Sequence, residues 1–183
     1  MSMKALGMLE ILNIPTGVKA GDTMLKAAEV ELVSAQPVCA GKYIVVVTGE
    51  VAAVRDAIEA GVDAGGDAIV NTLVIPNIHE SVPRAINACT EVSEVAAVGM
   101  METFSLCTAV IAADTAVKTA DVTLIEVRLG RGMGGKSFVL LTGDVSAVKA
   151  SVEASSTLEE VQGLLSGSVV IPAPHPDIVK ALV

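Results

Sequence analysis

Aromatic and basic residues are both scarce in this sequence, and each shortage limits what the protein can be. It has no Trp, one Tyr and two Phe, although 52% of its residues are hydrophobic. Its core must therefore consist of aliphatic and small side chains, which allow helices to pack closely on sheets. The 12 Lys and Arg are outnumbered by 21 Asp and Glu, which gives a formal net charge of −9. This balance argues against nucleic-acid binding, which needs clustered positive charge.

Cysteines and long apolar runs are scarce as well. The three Cys have no regular spacing and no secretory signal precedes the first strand-like segment, so we expect a reducing cytosol and no disulfide framework. Asp, Glu, Lys or Gly interrupts every apolar stretch before it is long enough to cross a membrane, and we predict no membrane contact. The mean hydropathy of +0.65 is nevertheless high. This surplus indicates apolar surface that is buried between subunits.

An internal repeat determines the predicted architecture. Residues 5–34 match residues 97–126 at thirteen of 30 positions. Residues 41–60 match residues 135–154 at ten of 20 positions. The offset between the copies rises from 92 to 94 across the intervening loop, so the second copy has two additional residues there.

The repeat continues to the end of the chain. The pattern Val-Ile-Pro-x-x-His occurs at 74–79 and again at 170–175, now at an offset of 96. A second two-residue insertion therefore follows the second helix. We predict two domains, at residues 1–90 and 95–183, joined by a short polar segment.

Each copy has the same predicted order of elements, β-α-β-β-α-β-α. This order is that of a ferredoxin-like split β-α-β fold of the α+β class, with helices on an antiparallel sheet. In the first copy we predict strands at 4–12, 30–36, 42–48 and 68–75, and helices at 16–28, 50–61 and from about 79. The predicted apolar stripe of the first helix is Val18, Gly21, Leu25 and Ala28, which the second copy repeats as Val110, Ala113, Val117 and Ala120.

Four sequence blocks in each copy resemble the signature of the bacterial microcompartment shell domain. In the first copy they are Gly7-Met-Leu-Glu10, Asp22-Thr-Met-Leu-Lys26, Thr48-Gly-Glu-Val51 and Val74-Ile-Pro-x-x-His79; in the second they are Gly99-Met-Met-Glu102, Asp114-Thr-Ala-Val-Lys118, Thr142-Gly-Asp-Val145 and Val170-Ile-Pro-x-x-His175. The resemblance covers nearly the whole chain twice, in unpermuted order. It implies a structural protein and not an enzyme.

The resemblance also implies a mode of assembly. Tandem members of this family are expected to form homotrimers that imitate a hexamer, and to pack laterally with other shell proteins in a microcompartment shell in the bacterial cytoplasm. Each trimer would be one tile of the shell, and Lys26 and Lys118 would lie at the edge where it contacts the neighbouring tiles. The arginine that many members carry between the late Pro and His is replaced by Asn77-Ile78 and Ala173-Pro174.

The loops between the second and third strands would line the central pore of the trimer. Within the family, the position of Cys39 just before Gly41-Lys42 resembles that of a cysteine in tandem shell proteins of propanediol-utilisation compartments. Those proteins carry a central iron–sulfur cluster. We name the two pore loops by their residues: the first loop is Pro37, Val38, Cys39, Ala40 and Gly41, and the second loop is Gly130, Arg131, Gly132, Met133 and Gly134.

Cys39 is the candidate cofactor and metal ligand. A single chain offers one thiol there, in a turn marked by Pro and Gly, and cannot hold a cluster by itself. Three copies of Cys39 at a threefold axis would suit a 4Fe-4S cluster with one non-protein ligand, or zinc with an added water. Bare thiols are the remaining alternative.

The other candidate residues have structural interpretations. The second loop contains G-x-G-x-x-G, but a strand follows it instead of a helix, so nucleotide binding is not predicted. We expect Cys89 and Cys107 to pack as small apolar groups. His79 and His175 would begin helices, and Glu10 and Glu102 recur through duplication without a partner for acid–base chemistry.

The leading interpretation is a shell tile with an iron–sulfur centre that passes electrons across the shell, with encapsulated redox enzymes as partners. One alternative is a plain tile whose pore passes a metabolite or cofactor. A second alternative is a cytosolic sensor of small ligands, built from two ferredoxin-like domains.

Overall fold

The computed structural model describes residues 5–92 and 94–182. The chain divides into two compact units between Glu80 and Ser81. The repeat places the join between 90 and 95, whereas the packing assigns the short helix after His79 to the second unit.

The first unit is a four-stranded antiparallel sheet with two helices. Its sheet has the order β2-β3-β1-β4, so the first strand lies inside and pairs with both β3 and β4. The elements are β1 (Ala5–Ile11), α1 (Ile14–Ala27), β2 (Glu31–Val38), β3 (Lys42–Gly49), α2 (Val51–Gly65) and β4 (Ile69–Pro76).

Small residues allow the helices of this unit to lie close to its sheet. A Cβ built on Gly61 of α2 would lie 2.4 Å from Leu9 Cδ1 and 2.6 Å from Met24 Cγ. A Cβ on Gly7 of β1 would lie 2.8 Å from Val54 Cγ1. Apart from Tyr43, the core between these layers is aliphatic, as the composition predicts.

The second unit repeats this fold and adds a helix at each end. Its sheet has the order β6-β7-β5-β8. Helix α3 packs against β6 and α4, and α6 occupies the site of the second insertion. The elements are α3 (Ser81–Ile86), β5 (Ala97–Thr103), α4 (Leu106–Thr119), β6 (Val122–Leu129), β7 (Ser137–Gly143), α5 (Val145–Thr157), α6 (Glu159–Gln162), β8 (Leu165–Ile171) and α7 (Pro176–Leu182).

The predicted α+β fold and the element order are confirmed. The predicted apolar stripe of the first helix is right for Gly21, and for Val110 and Ala113 of the second copy, but it is wrong for two residues of α1. Val18 and Leu25 are exposed. The residues that α1 buries are Gly17, Ala20, Gly21 and Met24. The helix lies so close to the sheet that, apart from Met24, small residues form its inner face, while Val18 and Leu25 point outward. No helix in the described parts of the chain is long and apolar enough to span a membrane.

Candidate metal centre

The first loop is a short connection that holds Cys39 at the tip of the β2–β3 hairpin. Val38 pairs with Lys42 across the hairpin, so Cys39, Ala40 and Gly41 form the whole turn. Pro37 and Val38, which we predicted to lie in the loop, belong to strand β2 instead, because the strand pairing continues to the turn. Ala40 and Gly41 have positive φ angles of 62° and 73°, a region that residues with a side chain adopt at a cost. Cys39 is half-buried and is not in a disulfide.

An ion pair fixes the base of this hairpin. Lys42 Nζ donates a hydrogen bond to Glu10 Oε1 of the neighbouring strand β1. The Glu10 side chain is 4% exposed and that of Lys42 is 21% exposed. A buried carboxylate needs such a partner, so this pair ties the orientation of the hairpin to the centre of the sheet.

An equivalent ion pair lies at the base of the second loop, but the tip of this loop is different. Lys136 Nζ donates to Glu102 Oε2 at 2.7 Å, and Ser166 Oγ donates to the same oxygen at 2.7 Å. The hydrogen bond from Lys136, and after it the one from Ser166, lowers the pKa of Glu102 below its ordinary value. This pair is more open than the first, since the two side chains are 37% and 35% exposed.

The tip of the second loop is rich in glycine and carries the exposed Arg131. Gly130, Gly132, Gly134 and Gly135 all have positive φ, which glycine adopts readily. Strand β7 follows the loop, as predicted, so a helix N-terminus that could receive a pyrophosphate is not found there.

The donor set within one chain is small. No group of three or more His, Cys, Asp and Glu that could hold a metal ion occurs among residues 5–92 and 94–182. Any metal at Cys39 must therefore take ligands from further copies of the chain or from outside the protein.

The remaining predicted residues lie apart from the first loop in sequence and have local partners. Lys26 pairs with Asp22 at 2.6 Å and Lys118 with Asp114 at 2.5 Å, each one helical turn apart. His175 immediately precedes α7, and its Nδ1 accepts a hydrogen bond from the Asp177 N–H, which confirms its role at a helix start.

The two cysteines that we predicted to pack as apolar groups differ in their burial. Cys107 is buried in α4, as predicted. The prediction for Cys89 is wrong, because its side chain is exposed and its thiol donates to the Asn87 carbonyl at 3.4 Å. Cys89 follows the end of α3, where little apolar surface covers it.

Sequence reasoning missed the two ion pairs beneath the loops. Glu10 and Lys42, and likewise Glu102 and Lys136, recur at matching repeat positions, and this double recurrence is the signal that could have paired them. Ser166 had no such signal, because Val70 stands at its repeat position in the first unit.

Comparison with known proteins gives one consistent result. The family model of the BMC domain matches residues 5–78 and again 97–174. The chain is similar to the bacterial microcompartment shell protein PduT of Citrobacter freundii, with 42% identity over 98% of each chain. It is also similar to a microcompartment protein of Desulfitobacterium hafniense DCB, whose crystal structure matches with a TM-score of 0.94 and 46% identity over 97% of this chain and 99% of that one.

A single-domain protein matches about half of the chain. The major carboxysome shell protein CsoS1A of Halothiobacillus neapolitanus is 43% identical over 85 residues, which are 45% of this chain and 87% of that protein. One copy of the repeat thus corresponds to nearly a whole shell protein.

Proposed function

The chain belongs to the BMC-domain family of bacterial microcompartment shell proteins, and we propose that three copies form a shell tile with an iron–sulfur cluster on its threefold axis. It is a structural shell protein and not an enzyme. Each copy would supply one Cys39 thiolate to the cluster. The alternative is a plain tile without a metal, and metal analysis of the purified protein distinguishes the two.

The observation that carries the proposal is the position of Cys39. Its thiol lies on a three-residue turn, and a Cβ built on Gly41, two residues further along, meets no described atom within 4 Å. The turn that carries the cysteine is therefore open at Gly41. A thiol in that setting can be shared between copies, whereas the buried Cys107 cannot.

The chemistry of the donors fits an iron–sulfur cluster. Iron–sulfur clusters bind thiolates, and three protein thiolates leave one iron for a ligand of another kind. Three converging thiolates without a metal would repel one another, which favours a bound cation. A single donor per chain agrees with the lack of a local metal site in the described residues.

The duplication supports a trimer. Two BMC domains per chain make six per trimer, which allows a flat, hexagon-like tile of the kind that packs with other shell proteins. The first loop would then occur three times around the axis, alternating with the second loop and its Arg131. When bound, the cluster would supply single-electron transfer across the shell, for redox partners inside the compartment.

The test is anaerobic purification followed by absorption spectroscopy and analysis of iron and acid-labile sulfide. The proposal predicts about four irons and four sulfides per three chains, together with broad visible absorption. Zinc at one per three chains would replace the cluster in the proposal with a zinc site. A metal-free, colourless trimer would leave the plain tile.

Two matched variants locate the ligand. Cys39→Ser should abolish the absorption and leave the mass of the assembly unchanged. Cys89→Ser removes the exposed thiol outside the first loop and should retain the full iron content. Equal iron in the two variants would contradict the assignment of Cys39.

A further inference from the structure

The two pore loops contain one charged residue between them, and it belongs to the second loop. Residues 37–41 include no Asp, Glu, Lys or Arg, and Arg131 is the one charged residue of 130–134. Arg131 is exposed, and a guanidinium keeps its positive charge at any working pH. Since the formal net charge of the chain is −9, the second loop places a positive charge at a defined point of an acidic protein.

The positive residues on either side of Arg131 have carboxylate partners. Arg128 donates from Nε to Glu126 Oε1 at 2.7 Å and from Nη2 to Glu126 Oε2 at 2.9 Å. Lys136 donates to Glu102 at 2.7 Å. These two pairs offset the positive charge on strand β6 and at the base of the second loop. The positive charge of this hairpin is therefore concentrated at its tip, where the sequence has no acidic residue.

The second loop is also longer than the first. Pro37 pairs with Tyr43, and Leu129 pairs with Ser137 at the matching repeat positions. Residues 38–42 connect the first pair and residues 130–136 connect the second. Two added residues allow a hairpin to extend by up to about 3.5 Å. The loop that carries Arg131 can therefore reach further from its base than the loop that carries the cysteine.

We propose that Arg131 raises the reduction potential of the cluster. This inference rests on the proposed function, in which the two loops alternate around the threefold axis and three copies of Arg131 surround three copies of Cys39. The thiolates give the cluster negative charge, and the electron that reduces it adds one more. Nearby positive charge stabilises the reduced form more than the oxidised form. Arg131 is thus a residue that tunes the centre through its charge, and it is not a ligand.

A redox titration of the anaerobically purified trimer tests the proposal. Dithionite supplies the electron, and the visible absorption of the oxidised cluster reports the fraction that is reduced. In Arg131→Gln the ratio of reduced to oxidised cluster at a fixed potential should fall about tenfold, which is a shift of about 59 mV to lower potential for a one-electron couple. Arg131→Lys keeps the positive charge and should remain near the potential of the wild type.

Arg55→Gln is the matched control, because it removes the same charge from each chain. Arg55 is exposed and lies near the start of α2, which follows the end of β3 that is remote from the first loop. Its loss should leave the potential unchanged. Equal shifts in Arg55→Gln and Arg131→Gln would show that the net charge of the assembly sets the potential, and would overturn the assignment of Arg131.

Ionic strength separates an effect of charge from an effect of loop structure. The Debye length falls from about 10 Å at 0.1 M salt to about 3 Å at 1 M, so salt screens the charge of an exposed side chain. The difference in potential between the wild type and Arg131→Gln should therefore shrink as salt is added. A difference that is the same at both salt concentrations would contradict an electrostatic role.

The outcomes separate this proposal from the proposed function. A colourless wild type without iron would overturn the cluster, and this proposal with it. A wild type with the full cluster and an unchanged potential in Arg131→Gln would overturn the role of Arg131 alone. Iron and sulfide analysis accompanies each titration, and Arg131→Gln should retain about four irons per three chains. Loss of iron from this variant would show that Arg131 holds the site together, and would also overturn the proposal.

Discussion

Lys42 and Glu10 form a buried ion pair that connects the base of the Cys39 hairpin to the central strand β1. Lys136 and Glu102 form the same connection in the second unit, where both side chains are more than a third exposed. Two copies of one interaction thus occur at different depths in a single chain, and they allow a comparison in which each is the control for the other.

Lys42→Met should destabilise the first unit much more than Lys136→Met destabilises the second. Without Lys42 the Glu10 carboxylate stays buried without its counter-ion, at a cost of about 2 kcal/mol or more. The exposed pair is worth about 0–1 kcal/mol. Urea unfolding at one protein concentration measures both, and equal losses would show that burial does not set the strength of these pairs.

Gly41→Ala should lower stability by about 1 kcal/mol, because φ at this position is 73°. Gly163→Ala is the control. A Cβ at either position meets no described atom within 4 Å, but Gly163 has a φ of −72° that any residue adopts. The thermal midpoint should fall in the first variant and stay level or rise in the second. An unchanged thermal midpoint in Gly41→Ala would mean that the hairpin backbone adopts another conformation at this position without cost.

The Glu102 site should contribute a dependence of stability on pH. Its pKa is lowered in the folded protein, chiefly by the hydrogen bond from Lys136 and next by that from Ser166. The stabilisation of the folded state by the Glu102 carboxylate is therefore fully present above the ordinary pKa of about 4.5. It is lost as the pH falls through the lowered pKa.

Between pH 5 and pH 3, the wild type should therefore lose more stability than Glu102→Gln. The difference should be about 0.5 kcal/mol, since the pair is a third exposed, and Ser166→Ala should lie between the two proteins. Thermal midpoints measured across this range are the readout. Parallel profiles for all three would contradict a role for the charge.

The double variant Lys26→Ala, Lys118→Ala should fail to form extended sheets while keeping the mass of the wild-type assembly. Each lysine pairs with an aspartate one turn away. The loss of Lys26 should cost little folding stability, because both members of its pair are exposed. The loss of Lys118 should cost more, because the side chain of its partner Asp114 is only 10% exposed. Negative-stain electron microscopy distinguishes the results. Lys19→Ala, which removes an exposed lysine elsewhere on α1, should still form sheets.

The fold was predictable because duplication doubles every signal. The strand pattern, the helix after Gly49 and the connection before Lys42 each occur twice. A pattern that is weak in one copy can therefore be recognised from the other copy. The buried face of α1 was not predictable from the apolar stripe. Close packing of Gly17, Ala20 and Gly21 on the sheet leaves the larger Val18 outside, and helical periodicity alone does not show which side of the helix lies on the sheet.

The site was predictable only to the level of one residue. The sequence places Cys39 in a turn, and the structure adds that the turn has three residues and rests on the Glu10–Lys42 pair. The exposed Cys89 and the hydrogen bond from Ser166 to Glu102 depend on tertiary contacts. No periodicity or motif in the sequence encodes them.

Native mass spectrometry of anaerobically purified protein tests the central claim most directly. We predict an assembly of three chains, each of 18.6 kDa, with an additional mass of about 350 Da for four irons and four sulfides. The extra mass should disappear in Cys39→Ser while the three chains remain together. Three wild-type chains without any additional mass would contradict the metal centre.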